Sequence, residues 1–281
     1  MSIVMTQANV KTSRADPFQG DREAFQGASG DTMNSPKRLA RIAGVLYLLV
    51  GIFGGFALGF MYPRMYVAGD AATTAGNVIA NSGLVRIGIV ADLFQATVTV
   101  FLALTLYRLL QHVNKSVASA MVILVAIGTG IVCLNAIFEF EGLRAATGAV
   151  NLVALGTAGS NALVLLLLDT QHYGTLIAQI FFGLWLVPLG YLAYKSSEMF
   201  PKGLGVLLIV GGVCSLVDLL TLLLVPAFAQ KITPDLPGTH HTFVGVILPT
   251  IAEISMLVYL LVIGVKTVKP AVRRAALAAI N

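Results

Sequence analysis

Charge is what this sequence has least of. Asp, Glu, Lys and Arg make up 11% of its 281 residues, while 57% are hydrophobic and mean hydropathy is +0.86. Soluble domains carry about a quarter charged residues. A water-exposed globule of this length is therefore excluded, and a multi-pass membrane protein is implied. Cysteine is also scarce. Cys133 and Cys214 both lie inside apolar runs, which argues against a disulfide framework or a cysteine metal site. The net charge of +5 does not call for a nucleic acid partner, because basic residues in membrane proteins gather in cytoplasmic loops. The expected partner is the lipid bilayer.

Catalytic motifs are missing too. The sequence has no H-E-x-x-H, G-x-S-x-G or Walker pattern, and no pair of histidines placed at opposite ends of spans for haem. No cofactor is expected. Of the four histidines, His112 is placed on the cytoplasmic side. His172, His240 and His241 fall on the outer side near Glu139, Glu141 and Asp169. Outer histidines with carboxylates are a weak candidate metal set. Adjacent histidines in a Pro- and Gly-containing loop are more often simply solvated.

What the chain does have is long apolar runs. Six segments have the roughly 20 residues that a bilayer crossing needs: about 39–60, 84–107, 117–138, 173–195, 204–225 and 243–265. Residues 1–36 are polar, without hydrophobic periodicity, and read as a disordered cytoplasmic tail. A six-span domain over 37–269 and a cytoplasmic tail over 270–281 follow. With the N-terminus inside, fourteen of the eighteen Lys and Arg lie on the cytoplasmic side, leaving Arg64, Arg86, Arg144 and Lys231 outside. The fold class is an all-α membrane bundle of six helices with short outer-face helices and both termini cytoplasmic. "GDAATTAGNVIANSG" supplies one outer helix, with Asp70 as N-cap and Gly83 as stop. The stretch 145–170 reads as an outer connector whose short helix, about 160–169, lies against the membrane or dips into it.

Gly51, Gly55 and Gly59 form a four-residue row that permits close helix approach. The expected neighbour is another span of this chain; a second subunit is the alternative. Pro188 and Pro249 each remove a backbone donor within a span and free the carbonyl of Leu184 or Gly245.

The polar residues inside the spans are the informative feature. Asp92 and Gln95 lie in the second span, with Asp92 about 12 Å from its outer end. Asn135 and Glu139 share a face of the third span. Gln179 is in the fourth span, Asp218 in the fifth and Glu253 near the middle of the sixth, while Arg86 opens the second. All lie at mid-depth or in the outer half. A charged side chain at the bilayer centre costs about 2.5–3.5 kcal/mol on insertion scales. Asp92, Asp218 and Glu253 are therefore expected to face one another in an outward-open polar chamber.

"GDAATTAGNVIANSGLVRIGIVADL" (69–93) and "YGTLIAQIFFGLWLVPLGYLAYKSSEMFPKGLGVLLIVGGVCSLVD" (173–218) resemble the bacterial membrane family called domain of unknown function 4386. The resemblance covers roughly residues 38–268 and implies a six-span protein of the inner (plasma) membrane. It carries no activity to transfer. The preferred functional expectation is a polar cavity that binds or senses a small molecule, lipid headgroup or ion. The alternatives are an intramembrane acid/base enzyme using the buried carboxyls, and a structural or partner-binding subunit.

Overall fold

The computed structural model describes residues 36–225 and 243–266. Among these residues the chain is all helical, with seven helices. The first, α1, is Pro36–Gly54; it continues through a π-helical stretch, Gly55–Met61, into a last turn, Tyr62–Met65. Then come α2 (Ala71–Ala80), α3 (Ser82–Leu110) and α4 (Lys115–Ala146). The rest is α5 (Gly156–Lys195), α6 (Lys202–Leu224) and α7 (Phe243–Val258), which widens into a π turn, Tyr259–Ile263.

Five of these helices are long and apolar enough to cross a membrane: α1 with its extension to Met65, α3, α4, α5 with the preceding turn, and α6. The apolar part of α7, Ile247–Ile263, is shorter. Its 17 residues match the lower limit of a crossing, about 17 residues. The expected tails, the loop with Pro234, His240 and His241, and the basic residues Lys269, Arg273 and Arg274 lie outside the described residues.

Local chemistry explains the helix ends. Pro36 starts α1, where a missing N–H costs nothing. Asp70 caps α2 as expected: its carboxylate accepts from the Thr73 amide at 2.9 Å and the Thr73 hydroxyl at 2.7 Å. Asn114 caps α4 by accepting from Val117 N–H at 3.1 Å. Gly264 ends the last helix with φ +73°, a conformation that suits glycine. The α2 helix stops at Asn81, and Gly83 belongs to α3.

The 145–170 connector differs from the expectation. It has no separate surface helix at 160–169. After a short turn at Val153–Leu155, that stretch is the first part of α5, a single helix of 40 residues. The leucines of 163–168 continue the helical face that begins further along, with Val164 and Leu168 fully packed. At 1.5 Å per residue α5 is about 60 Å long, and α4 with its 32 residues is about 48 Å.

Helices adjacent in sequence pack on each other from α3 through α7. The α1 helix packs on α3, and α7 returns to α1, so the bundle closes as a ring. The tightest crossing is α5 on α6. A Cβ built on Gly190 would lie 2.6 Å from the Gly205 carbonyl oxygen, and one on Gly212 would lie 2.7 Å from the Gly183 carbonyl oxygen. The two glycine pairs match in antiparallel register, seven residues apart on each helix. The expected row on α1 behaves otherwise. Gly51, Gly55 and Gly59 are exposed, and a Cβ on any of them would meet nothing within 4 Å. The π-helical stretch changes the residues per turn just where that row runs, so it forms no intramolecular seam. Gly44, against Leu261, and Gly54, against Gln95, take the close contacts of α1.

Two apolar clusters result. One holds Ala40, Leu106, Met121, Leu189 and Leu260. The other holds Met61, Met65, Val78, Leu143 and Leu168, at the end of the bundle covered by α2. Between them, on α3, α4 and α5, run Asp92, Gln95 and Thr99; Thr129, Asn135 and Glu139; and Gln171, Thr175 and Gln179. Each helix thus switches from apolar to polar and back along its buried face.

Candidate functional site

Among the described residues, two cavities adjoin this polar layer. The larger, about 320 Å³, is lined by Tyr47 on α1, Gln95 and Thr99 on α3, Trp185 on α5, and Thr250 and Glu253 on α7. Leu102, Phe182 and Leu257 give it apolar walls. Here the Tyr47 hydroxyl donates to Glu253 Oε1 at 3.1 Å. The Trp185 indole lies beside the Glu253 carboxyl on the same cavity wall, and the Tyr47 and Trp185 rings lie tilted with centroids 5.9 Å apart. Three of the lining residues, Gly51, Thr250 and Ile254, are exposed on the bundle surface. They belong to α1 and α7, so the cavity reaches the surface along the seam between the first and last helices. The expected opening was towards the outer face. The layer beyond Asp92 in that direction is the packed cluster of Met61, Val85, Leu143 and Leu168.

The smaller cavity, about 80 Å³, is lined by Asp92, Gln95, Asn135, Glu139, Gln171 and Gln179, with Thr175 and Phe182 among the rest. Gln95 and Phe182 line both cavities and form the wall between them. Gly54 leaves room for the Gln95 amide: a Cβ there would lie 3.1 Å from Gln95 Nε2. Thr175 organises the amides opposite. Its hydroxyl donates to the Gln171 carbonyl at 2.9 Å and accepts from Asn135 Nδ2 at 3.4 Å and Gln171 Nε2 at 3.5 Å.

The expected single chamber is therefore divided. Asp92, Gln95, Asn135, Glu139 and Gln179 line one cavity, and Gln95 and Glu253 the other. Asp218 is buried on α6 but lines neither, and Arg86 is exposed and lines neither. Gln95 and Phe182, which border both cavities, stand between them. Gln171, Tyr47 and Trp185 were not singled out in the sequence. Gln171 carried a usable signal, since it lies eight residues before Gln179 and so near the same helix face.

His172 lies apart from both cavities. It stacks on Tyr62 at 5.9 Å and Tyr66 at 5.3 Å between ring centroids. The Tyr66 hydroxyl donates to Asp169 Oδ1 at 2.6 Å. Burial, followed by that carboxylate, pushes the Tyr66 phenol above its ordinary range. Glu141 pairs with Arg144 at 2.7 Å on the surface. Among the described residues no three His, Cys, Asp or Glu side chains converge as a metal set.

Fold and site together define an all-α protein with several candidate transmembrane helices and two polar cavities between them. The family model described as "Domain of unknown function (DUF4386)" matches residues 42–264, and the chain belongs to that family. No curated protein and no solved structure matches it.

Proposed function

We propose that this chain is a six-span protein of a cell's inner membrane that binds a small lipid-soluble molecule in the larger cavity. Glu253 is the polar anchor. The reading rests on one observation: a carboxyl held by the Tyr47 hydroxyl, beside the Trp185 indole, on the wall of a cavity of about 320 Å³ that reaches the surface between α1 and α7. Small-molecule sites are mostly apolar, with a few placed polar groups, and ionisable residues inside a membrane are functional candidates by default. The fitting ligand has an apolar body and one hydrogen-bond-donating or cationic head. It enters sideways from the bilayer.

Six spans and cytoplasmic termini are supported by the distribution of Lys and Arg, which puts Arg108, Lys115, Lys195 and Lys202 at one end of the bundle. A purely structural role is favoured by the same bond from Tyr47 to Glu253, because a capped carboxyl can simply fix the packing of α1 and α7. The cavity volume and its exposed seam favour binding.

Trp185 is the sole tryptophan and lines the cavity, so its fluorescence reports on this site. Protein in lipid nanodiscs is titrated with long-chain primary amines while Trp185 emission is followed. A saturable change in wild type that is absent in Gly51→Leu supports the reading, because Gly51 lines the cavity and a Cβ there meets nothing within 4 Å. An unchanged Trp185 signal, together with native mass spectra showing no co-purified molecule, would overturn it.

A further inference from the structure

The smaller cavity has an unusual set of polar groups. No Lys, Arg or His lines it. Asp92 and Glu139 both do, and their carboxyls are close enough to act on each other electrostatically. Glu139 is 1% exposed, and neither of its carboxyl oxygens has a hydrogen-bond partner. Gln171 is 4% exposed, and its Oε1 has none either.

The orientation of Gln171 is set by its neighbour. The Thr175 hydroxyl spends its proton on the Gln171 main-chain carbonyl, so towards side chains it can only accept. It takes the NH2 groups of both Asn135 and Gln171. The amide nitrogen of Gln171 is thereby turned to Thr175, and its oxygen is left over. Three buried oxygen acceptors on two helices, with a second carboxyl from a third helix, converge on one small space. Leaving such acceptors unsatisfied is costly in a dry interior.

We propose that Asp92, Glu139 and Gln171 form a binding site for a single hard metal cation. Oxygen-only ligation by carboxylates and amide carbonyls suits sodium or calcium and does not suit zinc or copper, which favour nitrogen and sulfur. A volume of about 80 Å³ holds one largely dehydrated ion with one or two waters, each of which takes about 30 Å³ in the liquid. A cation between the two carboxyls turns their repulsion into attraction and uses the Gln171 oxygen. Thr175 is a positioning residue: it touches the amides and holds their nitrogens away. The site does not depend on ligand binding in the larger cavity, although Gln95 and Phe182 separate the two.

The test uses the full-length protein in lipid nanodiscs, equilibrated in N-methyl-D-glucamine buffer of fixed ionic strength. Binding of radioactive sodium and of radioactive calcium is measured separately. The expected result is saturable binding of one of them at one ion per chain. Gln171→Leu weakens it by about tenfold or more, while Gln171→Glu, which keeps the oxygen, retains it. Sodium or calcium as the bound ion identifies the occupant, and either supports the site. If wild-type protein binds neither ion, the cavity serves protons or water alone and the proposal falls; this arm requires no variant to fold. Binding unchanged in Gln171→Leu would place the ion elsewhere and overturn it equally.

Discussion

Tyr47 and Glu253 lie 206 residues apart in sequence and meet in a 3.1 Å hydrogen bond that joins the first helix to the last. This contact closes the ring at mid-depth, where α1 and α7 otherwise leave a seam. Further along, the end of α7 is fixed separately: the Tyr259 hydroxyl donates to the Met199 carbonyl at 2.8 Å. That second bond ties α7 to the segment between α5 and α6, whereas the Tyr47–Glu253 bond ties it to α1 and borders a cavity.

Removing the Tyr47 donor is expected to loosen that closure. Tyr47→Phe should lower stability by about 1.5–3 kcal/mol, the range for a hydrogen bond to a charged group, if Glu253 is ionised, and by about 1 kcal/mol if it is neutral. Glu253→Gln should cost less than Glu253→Leu, which strands the Tyr47 hydroxyl. Unfolding in mild detergent of both single variants and of Tyr47→Phe/Glu253→Gln gives the coupling. Strict additivity would mean that the contact does not hold the seam.

Glycine substitutions should separate packed from open positions. Gly190→Ala and Gly205→Ala each drive a methyl into backbone at 2.6 Å, where nothing can give way, so α5 and α6 must move apart. A loss of about 1–3 kcal/mol is expected, as for overpacking. Gly55→Ala and Gly59→Ala meet open space and should be neutral or slightly stabilising. Melting temperatures of the four proteins decide it. A destabilised Gly55→Ala would reveal a partner seated on that row, such as a second copy.

Asp92→Asn should preserve the fold, since it keeps shape and hydrogen-bonding capacity and removes one of two facing carboxyls. Asp92→Leu should do more damage, because it leaves Glu139 and the neighbouring amides in a drier space. The comparison is made by the yield of monodisperse protein and by thermal unfolding. Equal behaviour of the two variants would show that Asp92 takes no part in the polar layer.

Orientation is open to a direct check. A reporter fused after Asn281 should be cytoplasmic, and one inserted near Pro237 should be outside. An external C-terminus would break the six-span reading, including the assignment of α7 as a span.

The α2 cap should respond to acid in a defined direction. The Thr73 amide and then the Thr73 hydroxyl hold the Asp70 carboxyl below its ordinary value. A depressed folded-state value means that the cap's stabilisation is complete above the ordinary carboxyl range. It is lost as pH falls through the lowered one. Amide exchange at Thr73 and Thr74 should stay slow through the usual carboxyl titration and quicken only below it. Asp70→Asn should show no such step, and Asp70→Ala should exchange fast throughout.

Much of this architecture was legible in the sequence because hydropathy marks a membrane helix strongly. The runs, the Asp70 cap and the confinement of polar residues to part of each span all follow from cost. Helix ends were less legible, since α4 continues through Glu139, Glu141 and Arg144, charges that end a hydropathy window without ending a helix. The glycine row on α1 misled because regular four-residue spacing assumes a regular α-helix, and the π-helical stretch has no marker in composition. The division of the polar chamber depends on how side chains of different helices meet, which hydropathy does not carry, and Glu253 found its partner in Tyr47, whose ring reads from sequence as ordinary apolar filling.

The lengths of α4 and α5 bear on the solvent that surrounds each part. If the basic ends at Lys115 and Lys195 mark one boundary, a hydrocarbon core of about 30 Å is used up near Asn135 and Thr175. The cluster of Met61, Met65, Val78, Leu143 and Leu168 then stands clear of the acyl chains, at the headgroups and in water. Its burial draws on the hydrophobic effect, whereas the helices below, already in an apolar medium, are held by packing and hydrogen bonds. One continuous set of helices thus has two cores assembled by different forces. Cooling or urea should weaken the upper core first, leaving the lipid-embedded half intact beneath it.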